Sequence, residues 1–394
     1  MAISQRIPMV LQRGIWDIVS TGNRRENGMV RGRRVTTSRN RRRGTPLLLW
    51  AALVLAGLVL TGCTPGQPTT APSRPGVPGH VFVINLENQG YDRVFGKGSA
   101  APYLSGTLRS QGVLLTQYYG IAHDSLPNYL AQISGQPPND STTHDCHTFS
   151  AFVPTGSDSQ GRLTGDGCVY PASVPTLAGQ LTAAGKTWKA YMEDMPSPCL
   201  HPAVGAEDSL HKSANDQYAT RHNPFVYFRS ITDSGDCARN DVNYTQLAKD
   251  LGSVATTPNL AYITPNVCHD GHDNPCADGT PGGLAAADQW LRTAVPPILA
   301  SPAFKQDGML IITFDEADEG RAGPSTPLPG GTAGGQIGTL VLSPYSTPGG
   351  TSAQPYNHYS LLATIEDFFS LPRLGTASEP GITTFGPDVY TTHT

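Results

Sequence analysis

Four clusters of residues in this chain carry side chains suited to moving a group between oxygen atoms. The first is Ser125, in the run His123-Asp124-Ser125-Leu126-Pro127-Asn128-Tyr129. The second and third are Glu87-Asn88 and Asp315-Glu316, each directly behind an apolar stretch. The fourth is the loop His269-Asp270-Gly271-His272-Asp273, with His358 standing further along the chain. A serine hydroxyl is a weak nucleophile until a base or a cation activates it. Glu87, Asn88, Asp315 and Glu316 together offer hard oxygen ligands, a set able to hold one divalent cation, with Mg, Ca, Mn and Zn all open. Such an ion would activate the Ser125 hydroxyl and neutralise phosphate charge. His272 is a candidate to donate to a phosphate oxygen or to protonate a leaving alkoxide, with Asp273 orienting it, and His358 has the same two options.

Each of these residues also has a plainer reading. Apolar residues at 126, 129, 130 and 133 have helical spacing, with Pro127 in the first turn and Gly135 just beyond the end, so Ser125 is expected as an N-cap. A serine there commonly does no more than accept from free backbone N–H groups. The same helix start, however, offers unpaired donors and a positive dipole end to a bound anion. Single acidic residues after strands are often solvated, and a histidine at a helix start is often structural. Two acidic pairs and a His/Asp-rich loop in one chain are harder to explain that way. His144, His147, His201, His211 and His222 fall in a loop-rich stretch, 139–240, that carries no recognisable motif.

Strand ends must bring the clusters together. The stretch 81–86 is almost continuously apolar, as are 260–263, 309–314 and 339–342, the pattern of strands buried on both faces of a parallel sheet. Helical spacing occurs between them at 174–184, 284–299 and 359–369. Alternating strands and helices predict an α/β sandwich with a mostly parallel central sheet and helices on both faces. In such sheets the site lies beyond the carboxyl ends of the strands, where Glu87, Asp315 and the 269–273 loop fall.

The chain has 394 residues and a formal charge of −4. Residues 1–62 hold eleven Arg, no Lys and only Asp17 and Glu26, leaving 16 basic against 29 acidic side chains, about −13, in the remainder. That balance argues against nucleic acid as a partner. A basic stretch followed by the apolar run 47–60 and Leu60-Thr61-Gly62-Cys63 describes a secretory signal ending in a lipobox-like sequence. Lipidated Cys63 would then tether the protein to a membrane, and residues 63–79, with five prolines, read as a polar tether. Residues 80–394 are expected to form a single domain. Six further cysteines fit three disulfides in an exported chain, for which nearest-neighbour pairing is the simplest of fifteen possibilities: Cys146 with Cys168, Cys199 with Cys237, and Cys268 with Cys276.

In sequence order, the chain resembles the bacterial phosphoesterase family of secreted acid phosphatases and C-type phospholipases, within the alkaline-phosphatase-like superfamily. The matching pieces are Glu87-Asn88, Tyr91-Asp92-Arg93-Val94-Phe95-Gly96, Ala101-Pro102-Tyr103-Leu104, the 123–129 run, Pro265-Asn266-Val267-Cys268 with His272-Asp273, Thr313-Phe314-Asp315-Glu316, and Asn357-His358-Tyr359-Ser360 with Glu366. The chain is most similar to short actinobacterial acid phosphatases, including phosphatidylinositol-3-phosphatases. The resemblance implies an alkaline-phosphatase-like three-layer sandwich and a phosphate-ester substrate, with a phosphoinositide or other lipid head group among the candidates. It also implies a phosphoserine formed on Ser125, a metal held by Glu87, Asn88, Asp315 and Glu316, and His272 and His358 around the phosphate. Two positions depart from the family pattern: Asp124 stands where a proline or small residue is expected, and His269 where an Asn-like one is.

Three other functions fit parts of this pattern. A phospholipase C-type phosphodiesterase would use the same nucleophile and metal. A metal-free Ser/His/Asp esterase is disfavoured because Ser125 lacks the Gly-x-Ser-x-Gly elbow. A non-enzymatic surface lipoprotein leaves the paired strand-end carboxylates without a purpose.

Overall fold

Strand β1 (His80–Leu86) is buried along its whole length, as its nearly continuous apolar run leads one to expect. The computed structural model to which it belongs describes residues 76–211, 216–317 and 328–391. The basic leader, Cys63 and most of the expected tether therefore lie outside the described residues.

Seven further strands join β1 in one sheet: β2 (Val113–Leu115), β3 (Trp188–Met192), β4 (Asp241–Asn243), β5 (Leu260–Thr264), β6 (Gly308–Phe314), β7 (Thr339–Leu342) and β8 (Gly350–Ser352). Their order is β8-β2-β7-β6-β1-β5-β3-β4. β1 pairs in parallel with both β5 and β6, and β3 in parallel with β4 and β5. β7 lies antiparallel to β6 and β2, so it alone runs against the rest. The four strands that the apolar runs predict are all present. Those they miss are β2, β3, β4 and β8; β4 and β8 are short and lie at the two edges of the sheet.

Alternation along β1 places helices on both faces. Phe82 points to one side and meets the Phe304 ring at 6.4 Å. Asn85 points to the other, where its Oδ1 accepts from Gln132 Nε2 at 2.9 Å. Gln132 belongs to α1 (Ser125–Ser134), which packs against α4 (His358–Phe369). The helix expected over 174–184 is shorter at its start, α2 (Leu177–Ala183), because Thr176 caps it by accepting from Gly179 N–H. The longest helix among the described residues is α3 (Gly283–Ala300). Among the described residues no helix is long and apolar enough to cross a membrane.

Three disulfides close neighbouring cysteines, Cys146–Cys168, Cys199–Cys237 and Cys268–Cys276, as nearest-neighbour pairing predicts.

Candidate active site

The register of β1 on β6 decides which residues meet. Leu86 pairs with Phe314, so the next residue on each strand, Glu87 and Asp315, emerges side by side at the carboxyl end of the sheet. The chain after β5 folds back over the same edge, where Glu87 N–H donates to the Asp270 carbonyl at 2.8 Å. Glu87, Asp270 and Asp315 are all fully buried. Burial, together with the other two carboxylates nearby, pushes the Glu87 carboxyl well above its usual range. Burial does the same to Asp270, with Asp315 adding to it, and burial raises Asp315.

Ser125 enters this acidic point from the opposite layer. It is the first residue of α1 and not its cap: Asp124 occupies the cap position at φ 62°, ψ 148° and makes no side-chain capping bond. The expected capping bond is absent because the hydroxyl is turned the other way, Ser125 Oγ donating to Glu87 Oε2 at 2.8 Å. Asn128 secures the unusual entry. Its Oδ1 accepts from Ile121 and Ala122 N–H, and its Nδ2 donates to the Ala122 and Asp124 carbonyls. The acceptor for the helix's free N–H groups comes instead from Asp145, whose Oδ1 accepts from Leu126 N–H.

His222 completes the cluster. Its ring stacks on Tyr129 at 5.4 Å with an interplanar angle of 7°, while the Tyr129 hydroxyl donates to Glu87 Oε1. His222 Nδ1 lies 3.1 Å from Asp270 Oδ2 and Nε2 lies 3.4 Å from Glu87 Oε1. Neither ring nitrogen makes a hydrogen bond, and the same is true of Asp270 Oδ2 and Asp315 Oδ2, all four atoms being shut off from water. An unpartnered buried polar atom costs roughly 1–3 kcal/mol. Unpartnered atoms beside carboxylates that burial and mutual repulsion disfavour make this cluster a candidate cation site. One ligand atom each from Glu87, His222 and Asp270 falls within 4.8 Å of the others. Burial, with Arg221 and His272 close by, holds the His222 imidazole well below its usual pKa, so it is neutral and able to ligate.

The expected quartet is thus only partly brought together. Glu87 and Asp315 adjoin each other. Asn88, at φ 54°, donates its N–H to Asp315 Oδ1 at 2.9 Å. Glu316 turns instead to His123, whose Nδ1 it binds. His272 and Asp273 are paired as expected, Nδ1 to Oδ1 at 2.7 Å. His272 Nε2 faces Arg221 Nη2 at 3.4 Å, and Arg221 Nε lies 3.4 Å from Asp145 Oδ2. His358 is fully buried, with Nε2 donating to the Asp315 backbone carbonyl at 2.6 Å. Its Nδ1 accepts from the Tyr118 hydroxyl and Gln132 Nε2, and burial holds its pKa down to about 4. It props the turn that carries Asp315.

Asp145, Arg221 and His222 are the residues that sequence reasoning missed. All three come from the 139–240 stretch, where no spacing sets them apart from their neighbours. Asp270 lay within the His/Asp-rich loop, between the two histidines that drew attention to it.

The protein resembles several characterised phosphatases. It is 29% identical over 294 residues to an acid phosphatase of Aspergillus fumigatus, a match covering 75% of this chain but only 55% of that protein. Over 334 residues it is 26% identical to a phosphatidylinositol-3-phosphatase of Mycobacterium tuberculosis, covering 84% of this chain and 91% of the relative. A solved protein of the alkaline phosphatase superfamily from Vibrio parahaemolyticus superposes over 78% of this chain and 71% of its own, with a TM-score of 0.43 and 15% identity. The model of the Phosphoesterase family matches residues 97–372, a span that contains Ser125, His222, Asp270, His272 and Asp315, and the chain belongs to that family.

Proposed function

We propose that the protein is an exported, metal-dependent phosphomonoesterase acting through a phosphoserine on Ser125. The observation that carries this reading is the 2.8 Å contact from Ser125 Oγ to Glu87 Oε2, made at a helix start beside the unpartnered atoms of His222, Asp270 and Asp315. Glu87, His222 and Asp270, with Asp315 adjoining, are the residues that would hold the divalent ion. When bound, the ion supplies positive charge for the phosphate oxygens and makes the serine hydroxyl more acidic.

The remaining chemistry belongs to the chain's own residues. The positive dipole end of α1 favours the phosphate, and Arg221 adds a cation to the site. Ser125 Oγ passes its proton to Glu87 Oε2 and bonds to phosphorus as the bond to the alcohol oxygen breaks. His272, steered by Asp273, gives a proton to the departing alkoxide. Water then attacks the phosphoserine, His272 taking a proton from it, and the Ser125 oxygen recovers its proton from Glu87 as inorganic phosphate leaves.

Three disulfides support export to an oxidising compartment. We read residues 1–62 as the signal segment, Cys63 as lipidated, 63–79 as the tether and 80–394 as one catalytic domain. The name of the Mycobacterium tuberculosis relative supports a phosphoinositide among the substrates.

The test is hydrolysis of p-nitrophenyl phosphate beside bis(p-nitrophenyl) phosphate, with divalent ions added back singly after chelation. The monoester is expected to be the better substrate, with activity lost on chelation and in Ser125→Ala. Near wild-type turnover by Ser125→Ala would overturn the covalent mechanism, and a strong diester preference would overturn the monoesterase.

A further inference from the structure

A cleft of about 560 Å³ opens beside the reaction centre and shares His272 with it. One wall comes from the segment directly after Glu87-Asn88 and carries Arg93 and Lys97, with Asp92 as its acidic member. The other wall is backbone and small side chains, from Gly271 on the 268–276 disulfide loop and from Gly282 and Gly283 at the start of α3. Gln89 joins the two walls, its Nε2 donating to the Gly271 carbonyl at 3.0 Å. Arg93 Nη1 reaches Gln89 Oε1 at 3.5 Å, and Gln89 itself stands two residues after Glu87.

The glycines are needed for this shape. A Cβ at Gly282 would lie 2.0 Å from the Asp273 carbonyl oxygen, and Gly283 has φ +66°. Side chains there would push the wall away from the His272–Asp273 pair and into the cleft. The cleft is within the usual size of a small-molecule site, roughly 300–1,000 Å³. It begins at the residue assigned to protonate the departing alkoxide, so the group it receives is the alcohol part of the substrate.

Resting on the monoesterase reading, we infer that this cleft is a leaving-group subsite that selects monoesters whose alcohol carries a second phosphate, bound by Arg93 and Lys97. Guanidinium and ammonium groups on one wall suit a phosphate, the arginine by paired N–H donors and the lysine as a point charge. The second phosphate has two sources: a soluble bisphosphate, or the phosphodiester of a phosphoinositide.

The experiment uses the full-length protein with its divalent ion and five substrates. p-Nitrophenyl phosphate reports the reaction centre alone. Fructose 1,6-bisphosphate against fructose 6-phosphate tests the soluble source, and dioctanoyl phosphatidylinositol 3-phosphate against inositol 3-phosphate tests the lipid source. The doubly phosphorylated member of at least one pair is expected to have a kcat/KM about tenfold higher, equivalent to roughly 1.4 kcal/mol. The double variant Arg93→Ala/Lys97→Ala should raise KM for that substrate about tenfold while leaving p-nitrophenyl phosphate turnover within about twofold, and Lys97→Glu should do the same through charge alone. The pair that shows the preference identifies the source. No preference in either pair, or an equal loss on every substrate in the variants, overturns the subsite. Wild-type protein inert toward p-nitrophenyl phosphate with every ion overturns the underlying reading instead.

Discussion

Asp145 Oδ1 accepts the Leu126 N–H at 3.0 Å while its Oδ2 faces Arg221 Nε at 3.4 Å, so one carboxylate both closes the first turn of the Ser125 helix and holds the arginine of the site. Asp145→Ala removes both contacts. The loss of the cap should cost about 1–2 kcal/mol of stability, seen as a lower melting temperature. Asp145→Asn keeps an acceptor for Leu126 but gives up the charge opposite Arg221. It is expected to recover most of the melting temperature and little of kcat. Identical behaviour of the two variants in both measurements would show that the arginine contact is idle.

His222→Ala takes away the nitrogen ligand beside Glu87 and Asp270. Elemental analysis after dialysis should then find the bound divalent ion reduced by at least about tenfold relative to wild type. Wild-type protein should lose melting temperature on chelation, since an ion that binds only the folded state stabilises it. His222→Ala should show a much smaller chelator effect. An unchanged metal content would remove His222 from the site.

His358→Ala deletes a fully buried ring and the donor to the Asp315 carbonyl. The expected cost is about 2–4 kcal/mol, with the denaturation midpoint falling accordingly. A residue that touched phosphate would behave differently, raising KM while leaving stability intact. The measured pair, midpoint and KM, separates a prop from a phosphate ligand.

The contrast between His358 and Glu87 shows how far the amino-acid order was informative. Glu87 and Asp315 follow nearly continuous apolar runs, and such runs become central parallel strands whose ends must lie at one edge. Their meeting was therefore legible before any coordinates. His358 was correctly placed at a helix start, with Asn357 capping it. Its complete burial depends on Tyr118 and Gln132 arriving from distant segments, which no local pattern records. Asp145, Arg221 and His222 were illegible for a related reason. They sit in irregular chain whose path is set by two disulfides and by stacking on Tyr129, not by a period of two or 3.6 residues.

Glu366 lies away from the reaction centre, with Oε1 accepting from Leu374 N–H and Oε2 buried without a partner. Burial pushes its carboxyl up to about 9 from the ordinary 4.5. The folded state therefore holds a proton that the unfolded chain releases, and stability should fall as pH rises from about 4.5 toward about 9. Glu366→Gln cannot ionise. It should flatten the decline in melting temperature across that window and be more stable than wild type by about 1–3 kcal/mol at pH 8. Parallel curves for the two proteins would assign the decline to other groups.

The three disulfides bear on how the candidate site is assembled. Asp145 adjoins Cys146, Arg221 and His222 lie between Cys199 and Cys237, and Asp270 and His272 lie between Cys268 and Cys276. Ser125, Glu87 and Asp315 ride on the sheet and its helices, whereas Asp145, Arg221, His222, Asp270 and His272 hang from segments fastened by sulfur. Bridges of this kind form in oxidising compartments, so in the exported enzyme proposed above the chemistry that closes the disulfides would also fasten the segments that complete the site.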